Sequence, residues 1–223
     1  MKTIRFHNSK QTLTVGKILC LGRNYAEHAK EMKAEVPEHP VIFLKPSTAI
    51  IENGEHIIIP AISREMHHEV ELVVAIGTEG KNIPLTETMH HVAGYAVGLD
   101  MTLRDIQSEA KKKGLPWTVA KGFDTSAPLS EFIPADRISN PNALTIRCSV
   151  NGITKQESST AGMIFSVSQI ISYISTIFTL EKGDLIYTGT PEGVGPVSTG
   201  DLIEAELIGF AKTSHHVVRA ENS

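Results

Sequence analysis

The sequence predicts an irregular α+β fold. Short strand patterns and short helix patterns are interspersed along the chain, but not in the regular strand–helix–strand order of a parallel α/β protein. The clearest strand signal is segment 144–150 followed by Asn151-Gly152, because Asn-Gly supplies the positive φ angles of a type I′ hairpin turn. The clearest helix signal is a set of apolar residues at helical spacing over residues 163–178, which is typical of a helix packed into a core.

The first third of the chain is rich in strand patterns. Weak alternation over residues 4–15 predicts an N-terminal hairpin, and the apolar run 17–22 predicts a buried strand. A short helix is expected next, with Asn24 as its N-cap and its end before Pro37. Two further strands are predicted from apolar segments that end in proline, 41–46 and 56–60.

The middle of the chain predicts helices and its end predicts strands. Residues 102–105 have the form of a capping box, which opens a helix that ends near Gly114. Three lysines at 111–113 suit the C-terminal end of that helix, and we interpret them as solvated. A short helix is expected at 86–91, and strands at 184–188 and 202–208 complete the β structure.

Composition excludes several classes of protein. A chain of 223 residues is long for one domain but can bury a substantial core. Its acidic and basic residues are interspersed and its net charge is −4, which argues against nucleic acid as a partner. Membrane helices are not expected, because no segment approaches the ~20 apolar residues that one needs. Cys20 and Cys148 form no Cys-x-x-Cys pair, so neither a disulfide framework nor a thiolate metal site is expected, and we predict a cytoplasmic protein.

Three acidic residues predict a candidate metal site. Glu69 and Glu71 are two residues apart, so they would share one face of a strand, and Asp100 closes an apolar run further on. Three converging carboxylates repel one another without a cation, and oxygen ligands suit Mg²⁺ or Mn²⁺. On spacing alone, however, we favour exposed strand carboxylates and a helix-capping aspartate. His67 and His68 would point to opposite faces, and a structural role is favoured for each.

Two polar pairs lie at helical spacing. His28 and Glu31 would share one face of the first helix, and Arg104 and Gln107 one face of the second. From spacing alone, the His–Glu pair is best explained as an exposed pair worth only a few tenths of a kcal/mol.

Five segments carry a more specific signal. They are residues 22–28 (GRNYAEH), 68–71 (HEVE), 98–105 (GLDMTLRD), 113–117 (KGLPW) and 188–196 (TGTPEGVGP). Together, in this order, they resemble the fumarylacetoacetate hydrolase family. The similarity extends from about residue 17 to about residue 207 and is greatest to the short, single-domain branch of acylpyruvate hydrolases and oxaloacetate decarboxylases.

The resemblance implies a fold and an assembly. The fold is a compact roll of mixed β-sheets with short peripheral helices, usually assembled as a homodimer. It implies one catalytic domain over residues 1–223, with N-terminal strands in 1–16, the family core in 17–207, and a C-terminal strand and tail in 208–223.

The resemblance also implies site residues. The family's metal ligands fall on Glu69, Glu71 and Asp100, which are then expected to hold Mg²⁺ or Mn²⁺, and this outweighs the interpretation from spacing alone. Lys121 matches a family lysine beside the bound oxo acid, where it adds a positive charge.

Other implied residues surround the substrate. His28 and Glu31 match a His–Glu pair on a short lid helix that activates water. Arg23 is expected either to bind a distal carboxylate or to support the lid, and both alternatives stay open. The remaining substrate-binding positions are Arg104, Gln107 and Thr190.

These residues imply a function. The leading prediction is a metal-dependent hydrolase that cleaves the C–C bond of acylpyruvates, such as acetylpyruvate or fumarylpyruvate, through a pyruvate enolate, with oxaloacetate decarboxylation as a second activity. His28 and Glu31 favour hydrolysis. The alternative is an isomerase, tautomerase or decarboxylase of unsaturated 2-oxo diacids from aromatic catabolism. A non-catalytic protein that binds metal and oxo acid is a lesser alternative.

Overall fold

Strands dominate the structure, a computed structural model that describes residues 2–31 and 35–220. In chain order the strands are β1 (Thr3–Arg5), β2 (Thr12–Thr14), β3 (Ile18–Gly22), β4 (Val41–Lys45), β5 (Ile50–Ile51), β6 (Ile57–Ile59), β7 (Met66–His68), β8 (Val70–Ile76), β9 (Val92–Leu99), β10 (Thr102–Leu103), β11 (Ala127–Pro128), β12 (Ile133–Pro134), β13 (Thr145–Val150), β14 (Ile153–Ser159), β15 (Leu185–Tyr187), β16 (Gly195–Val197), β17 (Leu202–Leu207) and β18 (Ala211–Arg219). The α-helices are α1 (Ala26–Glu31), α2 (Arg104–Lys113), α3 (Thr118–Lys121) and α4 (Val167–Ile177). Short 3₁₀ turns occupy Ser47–Ala49, Thr88–His91, Ala135–Arg137 and Thr160–Gly162. The predicted α+β class is confirmed.

The largest sheet is six-stranded and mixed, in the order β12-β9-β8-β15-β3-β4. Its central strand β8 is buried along its whole length, because a nearly continuous apolar run can be covered on both faces. In the antiparallel pairing of β8 with β9, Val70 faces Leu99 and Glu71 faces Gly98. This register places the residue after β9 beside the start of β8, where the candidate site lies.

A second sheet packs against the first. It is five-stranded, in the order β14-β13-β17-β18-β6, and apolar residues of both sheets and of α4 form one buried cluster. The hairpin predicted at 144–152 is confirmed, with φ of 52° at Asn151 and 75° at Gly152. In α4, Ser166 caps the helix together with Gln169, which accounts for its start at Val167.

A small three-stranded sheet joins the segments that carry the site. Its order is β10-β7-β16, and it brings the strand before Glu69, the strand before α2 and the turn at 188–196 side by side. Among residues 2–31 and 35–220, the structure has no helix with both the length and the apolar character needed to cross a membrane.

The expected elements mostly fall where the pattern put them. The strands predicted at 17–22, 41–46, 56–60, 184–188 and 202–208 are β3, β4, β6, β15 and β17. The helix at 102–114 ends as expected, because Gly114 adopts a left-handed φ of 65° and its N–H bonds the last turn. Its predicted capping box is wrong: Thr102 lies in β10, and its hydroxyl donates to the carbonyl of Asp100 and accepts from Lys121.

Asn24 does not serve as the predicted N-cap. Its side chain is fully buried, and its Oδ1 accepts the N–H of Phe165 at 2.8 Å. Its Nδ2 donates to the carbonyls of Thr188 at 2.7 Å and Phe165 at 3.1 Å. The side-chain amide of Asn24 thus forms hydrogen bonds with three distant backbone groups. These bonds join the end of β3 to the segment before α4 and to the turn after β15.

Replacing Asn24 by Ala is expected to lower the free energy of unfolding by roughly 3 kcal/mol, because buried backbone groups lose their partners. Urea denaturation measures this. The control is Asn140→Ala, which removes one exposed bond to the N–H of Asn142 and should cost less than about 1 kcal/mol. Equal losses in the two variants would contradict the role assigned to Asn24.

Candidate active site

Three buried carboxylates converge at the junction of β7, β8 and β9. Glu69 lies between β7 and β8, Glu71 is the second residue of β8, and Asp100 follows β9. One oxygen from each lies within 4.8 Å of the others. The backbone N–H of Asp100 donates to the carbonyl of Glu69 at 2.8 Å, which fixes the two chain segments together. The predicted trio is therefore brought together by the register of the central sheet.

Cationic side chains surround two of the three carboxylates. Lys121 Nζ lies 2.8 Å from Glu69 Oε2 and 2.5 Å from Asp100 Oδ2. Arg104 Nη2 donates to the other oxygen of Glu69 at 2.6 Å. Glu71 forms no ion pair within the described part of the chain, and its Oε2 accepts the backbone N–H of Gly189 at 2.7 Å.

The pKa values of Glu69 and Glu71 are shifted in opposite directions. Burial opposes ionisation of Glu69, but the adjacent Lys121 and Arg104 together hold its pKa well below the usual range. Burial raises the pKa of Glu71 well above the usual range, and the negative charges of Asp100 and Glu69 add to that effect. Glu71 is thus the carboxylate that most needs a further positive charge.

The trio fits a hard divalent cation. Asp100 Oδ1 is buried and accepts no hydrogen bond from residues 2–31 or 35–220. Lys45 Nζ lies only 2.8 Å from that oxygen, but it donates to three backbone carbonyls instead. Those carbonyls belong to Met101, Lys121 and Ser126. An orphaned buried oxygen, an uncompensated glutamate and an all-oxygen donor set match the requirements of Mg²⁺ or Mn²⁺.

Arg104 and Gln107 share one face of α2, as predicted. Arg104 Nη1 donates to Gln107 Oε1 at 2.6 Å, and its Nε lies 3.4 Å from His67 Nδ1. The guanidinium is therefore fixed by Glu69, Gln107 and His67 at the first turn of the helix. His67 also lies 2.8 Å from Glu65, so it has the structural contacts expected of it.

His28 and Glu31 also meet on their helix. Nδ1 of His28 lies 3.1 Å from Oε2 of Glu31, and His28 is buried. The two carboxylate oxygens of Glu31 also lie 3.1 and 3.2 Å from the backbone N of Gly193, which donates to them. The short helix α1 is thereby connected to the turn at 188–196.

Gln156 and Lys45 are site residues that the sequence did not reveal. Gln156, in β14, donates from Nε2 to Thr190 Oγ1 and accepts with Oε1 from the N–H of Val70. Its Oε1 also contacts His68 Nδ1 at 3.0 Å. A glutamine in a half-exposed hairpin strand carries no signal of this. Lys45 closes an apolar strand, and its charge there was the only available hint.

One cavity collects most of the predicted residues. It has a volume of about 330 Å³, and its lining includes His28, Glu69, Arg104, Gln107, Lys121 and Thr190. Arg23 and Lys111 line it as well. Two larger cavities, of about 590 and 830 Å³, contain none of the predicted site residues, so the chemistry of the lining locates the site better than volume.

The arrangement has three chemical capacities. The carboxylates can hold a divalent ion, Lys121 presents a fixed positive charge, and His28 with Glu31 can accept and return a proton. Burial opposes the charge on Lys121, but Asp100 and Glu69 raise its pKa above the usual value, so it acts as a cation. These are the requirements for stabilising an enolate in a site shielded from water.

Comparison with known proteins agrees with this chemistry. The family described as fumarylacetoacetate (FAA) hydrolase C-terminal matches residues 17–218. The mitochondrial oxaloacetate tautomerase FAHD1 of Mus musculus is 53% identical over 204 residues, which cover 92% of each chain. The mitochondrial oxaloacetate decarboxylase of Dictyostelium discoideum is 52% identical over 195 residues, or 87% of this chain and 89% of that protein.

A solved structure is similar over nearly the whole chain. Fumarylpyruvate hydrolase from Pseudomonas aeruginosa, in complex with Mn²⁺ and pyruvate, has a TM-score of 0.95 and 40% identity. The similarity covers 98% of this chain and 96% of that one.

Replacing Glu71 by Gln is expected to abolish metal binding without lowering the stability of the metal-free protein. Since the pKa of Glu71 is raised in the folded state, metal-free protein loses stability as pH rises from the ordinary value near 4.5 through the folded-state value. The variant lacks this loss, so at pH 8 its metal-free Tm should equal or exceed that of the wild type. Mn²⁺ at 100 times its Kd should add about 2.7 kcal/mol to the wild type and nothing to the variant.

Thermal unfolding with and without Mn²⁺ measures both effects. Glu79→Gln, at an exposed position, is the matched control and should behave as the wild type does. A Glu71→Gln protein that keeps the wild-type response to Mn²⁺ would contradict the assignment of Glu71 to the metal.

Proposed function

Because the chain belongs to the fumarylacetoacetate hydrolase family, we propose that it is a divalent-metal-dependent enzyme of 2-oxo acids whose principal reaction is the enol–keto interconversion of oxaloacetate. The observation that carries the proposal is that Lys121 contacts two carboxylates of the trio and lines the same cavity as His28. The relatives named oxaloacetate tautomerase and oxaloacetate decarboxylase, at 52–53% identity, support this substrate.

Glu69, Glu71 and Asp100 would hold the Mg²⁺ or Mn²⁺ ion. When bound, such an ion supplies Lewis-acid polarisation of the keto oxygen and stabilises negative charge there. The chain's own contribution is to keep these carboxylates buried and fixed, with Arg104 on Glu69 and Gly189 on Glu71.

Lys121 would stabilise the enolate. Its ammonium group is kept protonated by Asp100 and Glu69, so it offers positive charge and hydrogen bonds rather than a basic lone pair. Preorganised charge at the position where an oxyanion develops is commonly the largest catalytic contribution. The 2-oxo acid end of the substrate, with its C1 carboxylate, would be oriented by Arg104, Gln107 and Thr190, because all three are polar residues that line the cavity.

His28 would move the proton. In the keto-to-enol direction a proton leaves C3 and another reaches the oxygen at C2, with no net change in composition. The imidazole can take the first proton and return it, while Glu31 orients the ring and stabilises its protonated form. The contact of Glu31 with Gly193 helps to hold α1 in place, and with it His28, which lines the cavity.

Hydrolysis of acylpyruvates is a second candidate function. It is favoured by the His28–Glu31 pair, which can deprotonate water as well as carbon. Water would add to the distal carbonyl, the C3–C4 bond would break with its electrons on C3 as the pyruvate enolate, and protonation would give pyruvate and a carboxylic acid. Loss of CO₂ from oxaloacetate leads to the same enolate without water.

Assembly, domain extent and compartment remain proposals. We propose a homodimer and one catalytic domain over residues 1–223, of which the family match spans 17–218. We propose a cytoplasmic location, whereas the relatives from mouse and Dictyostelium discoideum are named as mitochondrial proteins.

Purified protein with Mg²⁺ is expected to accelerate the decay of the ultraviolet absorbance of enol-oxaloacetate, and EDTA should abolish the effect. Mass analysis should find oxaloacetate conserved during the fast phase, because tautomerisation leaves composition unchanged. The same assay on acetylpyruvate tests hydrolysis through metal-dependent release of acetate and pyruvate. Release of CO₂ at the rate of the absorbance change would instead make decarboxylation the principal reaction. If the protein turns over neither oxaloacetate nor acetylpyruvate in a metal-dependent way, the proposal is refuted.

Replacing His28 by Ala is expected to lower kcat for oxaloacetate by about 100- to 10,000-fold, the usual contribution of a general acid–base group, with KM changed only a few-fold. The matched control is His90→Ala. His90 lies 2.9 Å from Glu87 in the same three-residue spacing, but both side chains are exposed and distant from the cavity lining. If the two variants retain the same kcat, His28 carries no proton.

A further inference from the structure

The rim of the active-site cavity holds a lysine that the mechanism above does not use. Lys111 belongs to the last turn of α2 and lines the cavity with Arg23 and Trp117. Its Nζ lies 5.0 Å from the centroid of the Trp117 ring, a cation–π distance. The residue is exposed overall, yet its ammonium group rests against the ring and faces the cavity. Its interpretation as simply a solvated helix end is therefore incomplete.

The surroundings fix the position of this ammonium group. The Trp117 ring packs on Phe43, with 6.0 Å between ring centroids, and Phe43 in turn lies beneath Lys121 Nζ at 5.0 Å. Gly114 ends the helix and turns the chain back towards Trp117. Lys111 is thus connected to the lysine at the trio through two aromatic rings that pack on each other at a tilt of 58°.

Among the described residues, no acidic side chain is in ion-pair contact with Lys111 or Arg23, although Glu35 lines the same cavity. In the described ranges 2–31 and 35–220, neither forms an ion pair or a side-chain hydrogen bond. The two other cations of the cavity, Arg104 and Lys121, both contact Glu69. The deep cations are therefore compensated and the rim cations are not.

The backbone at Arg23 supports a functional position. Its φ of 61° is left-handed, which is uncommon for a residue with a side chain and unfavourable for the backbone. The buried amide of the next residue, Asn24, holds the backbone there. The conformation keeps Arg23 at the cavity.

The excess of positive charge at the rim also affects the pKa of Lys111. The pKa of Lys111 is lowered to about 8, chiefly by partial desolvation and next by the positive charges of Arg104 and Arg23, which outweigh the negative charge of Glu69. An anion bound between Lys111 and Arg23 would relieve this repulsion.

We propose that Lys111, together with Arg23, binds the distal carboxylate of a dicarboxylic 2-oxo acid and selects such substrates over acids with a neutral tail. The inference rests on the proposed function for the identity of the head group. The head group would lie against Lys121 and Arg104, and a second carboxylate at the rim would meet two free cations. Trp117 is assigned as a positioning residue, because the Lys111 ammonium group lies over its ring. A neutral acyl chain leaves both rim charges unpaired.

Binding of two unreactive 2-hydroxy acids tests the subsite directly. Malate and lactate differ only in the distal carboxylate, so their ratio of Kd values, measured by calorimetry on the Mg²⁺-loaded protein, isolates its contribution. The wild type should bind malate at least 10-fold more tightly than lactate, in line with a charge-assisted hydrogen bond. Lys111→Met should weaken malate binding roughly 10- to 100-fold and leave lactate within about two-fold.

Three further variants sharpen the test. Lys112→Met removes the same charge from the adjacent, exposed position and should change neither Kd. Lys111→Arg should retain the preference for malate. Malate affinity of the wild type should also fall as pH rises past about 8, since Lys111 loses its proton there, and Lys111→Arg should remove that decrease. Trp117→Phe, which keeps an aromatic ring, should weaken malate binding less than Lys111→Met does.

Kinetics give an independent readout. Lys111→Met should raise KM for oxaloacetate with little change in kcat, and leave kcat/KM for acetylpyruvate unchanged. Equal binding of malate and lactate by the wild type, or equal loss of both in Lys111→Met, would overturn the proposed subsite. Absence of turnover with every 2-oxo acid, combined with an intact malate preference that depends on Lys111, would refute the proposed reaction but not the subsite.

Discussion

Three carboxylates buried within 4.8 Å of one another are the constraint on which this structure depends. Like charges at such a distance, away from water, destabilise the fold unless cations compensate them. The chain places Lys121, Arg104 and Lys45 around the trio, each from a different element, and each is held by further hydrogen bonds. Even so, Glu71 stays without an ion-pair partner among the described residues, so the trio keeps a negative charge that a bound cation would compensate.

The surrounding strands are arranged to maintain that cluster. The pairing of Glu71 with Gly98 sets the register, and the small sheet of β7, β10 and β16 joins the trio to α2 and to the turn at 188–196. Gln156 connects the start of β8 to Thr190 through a fully buried amide. The residues assigned to binding, charge compensation and proton movement therefore lie on these strands and helices or directly beside them, except Thr190, which lies in the turn at 188–196.

Local pattern accounts for a definite part of this arrangement. Alternation within a strand was sufficient to place Glu69 and Glu71 together, and helical spacing was sufficient to pair Arg104 with Gln107. The resemblance supplied their connection to Asp100 and Lys121, because that contact depends on strand pairing over tens of residues, which spacing does not encode. Asn24 shows the limit most clearly: its sequence context is that of an N-cap, but distant carbonyls in a buried setting outcompeted the local N–H groups. Lys45 and Gln156 were missed for the same reason, since their partners lie far along the chain.

The contacts of α1 have a consequence for the site. Its described part, Ala26–Glu31, is connected to the turn at 188–196 by the hydrogen bonds that the N–H of Gly193 donates to Glu31. His28 and Ala29 on this helix are buried, so undocking it would expose buried side chains as well as break these polar contacts. The helix and the turn are therefore mechanically coupled: a displacement of either one would shift the other, and with it His28 or Thr190 in the wall of the cavity.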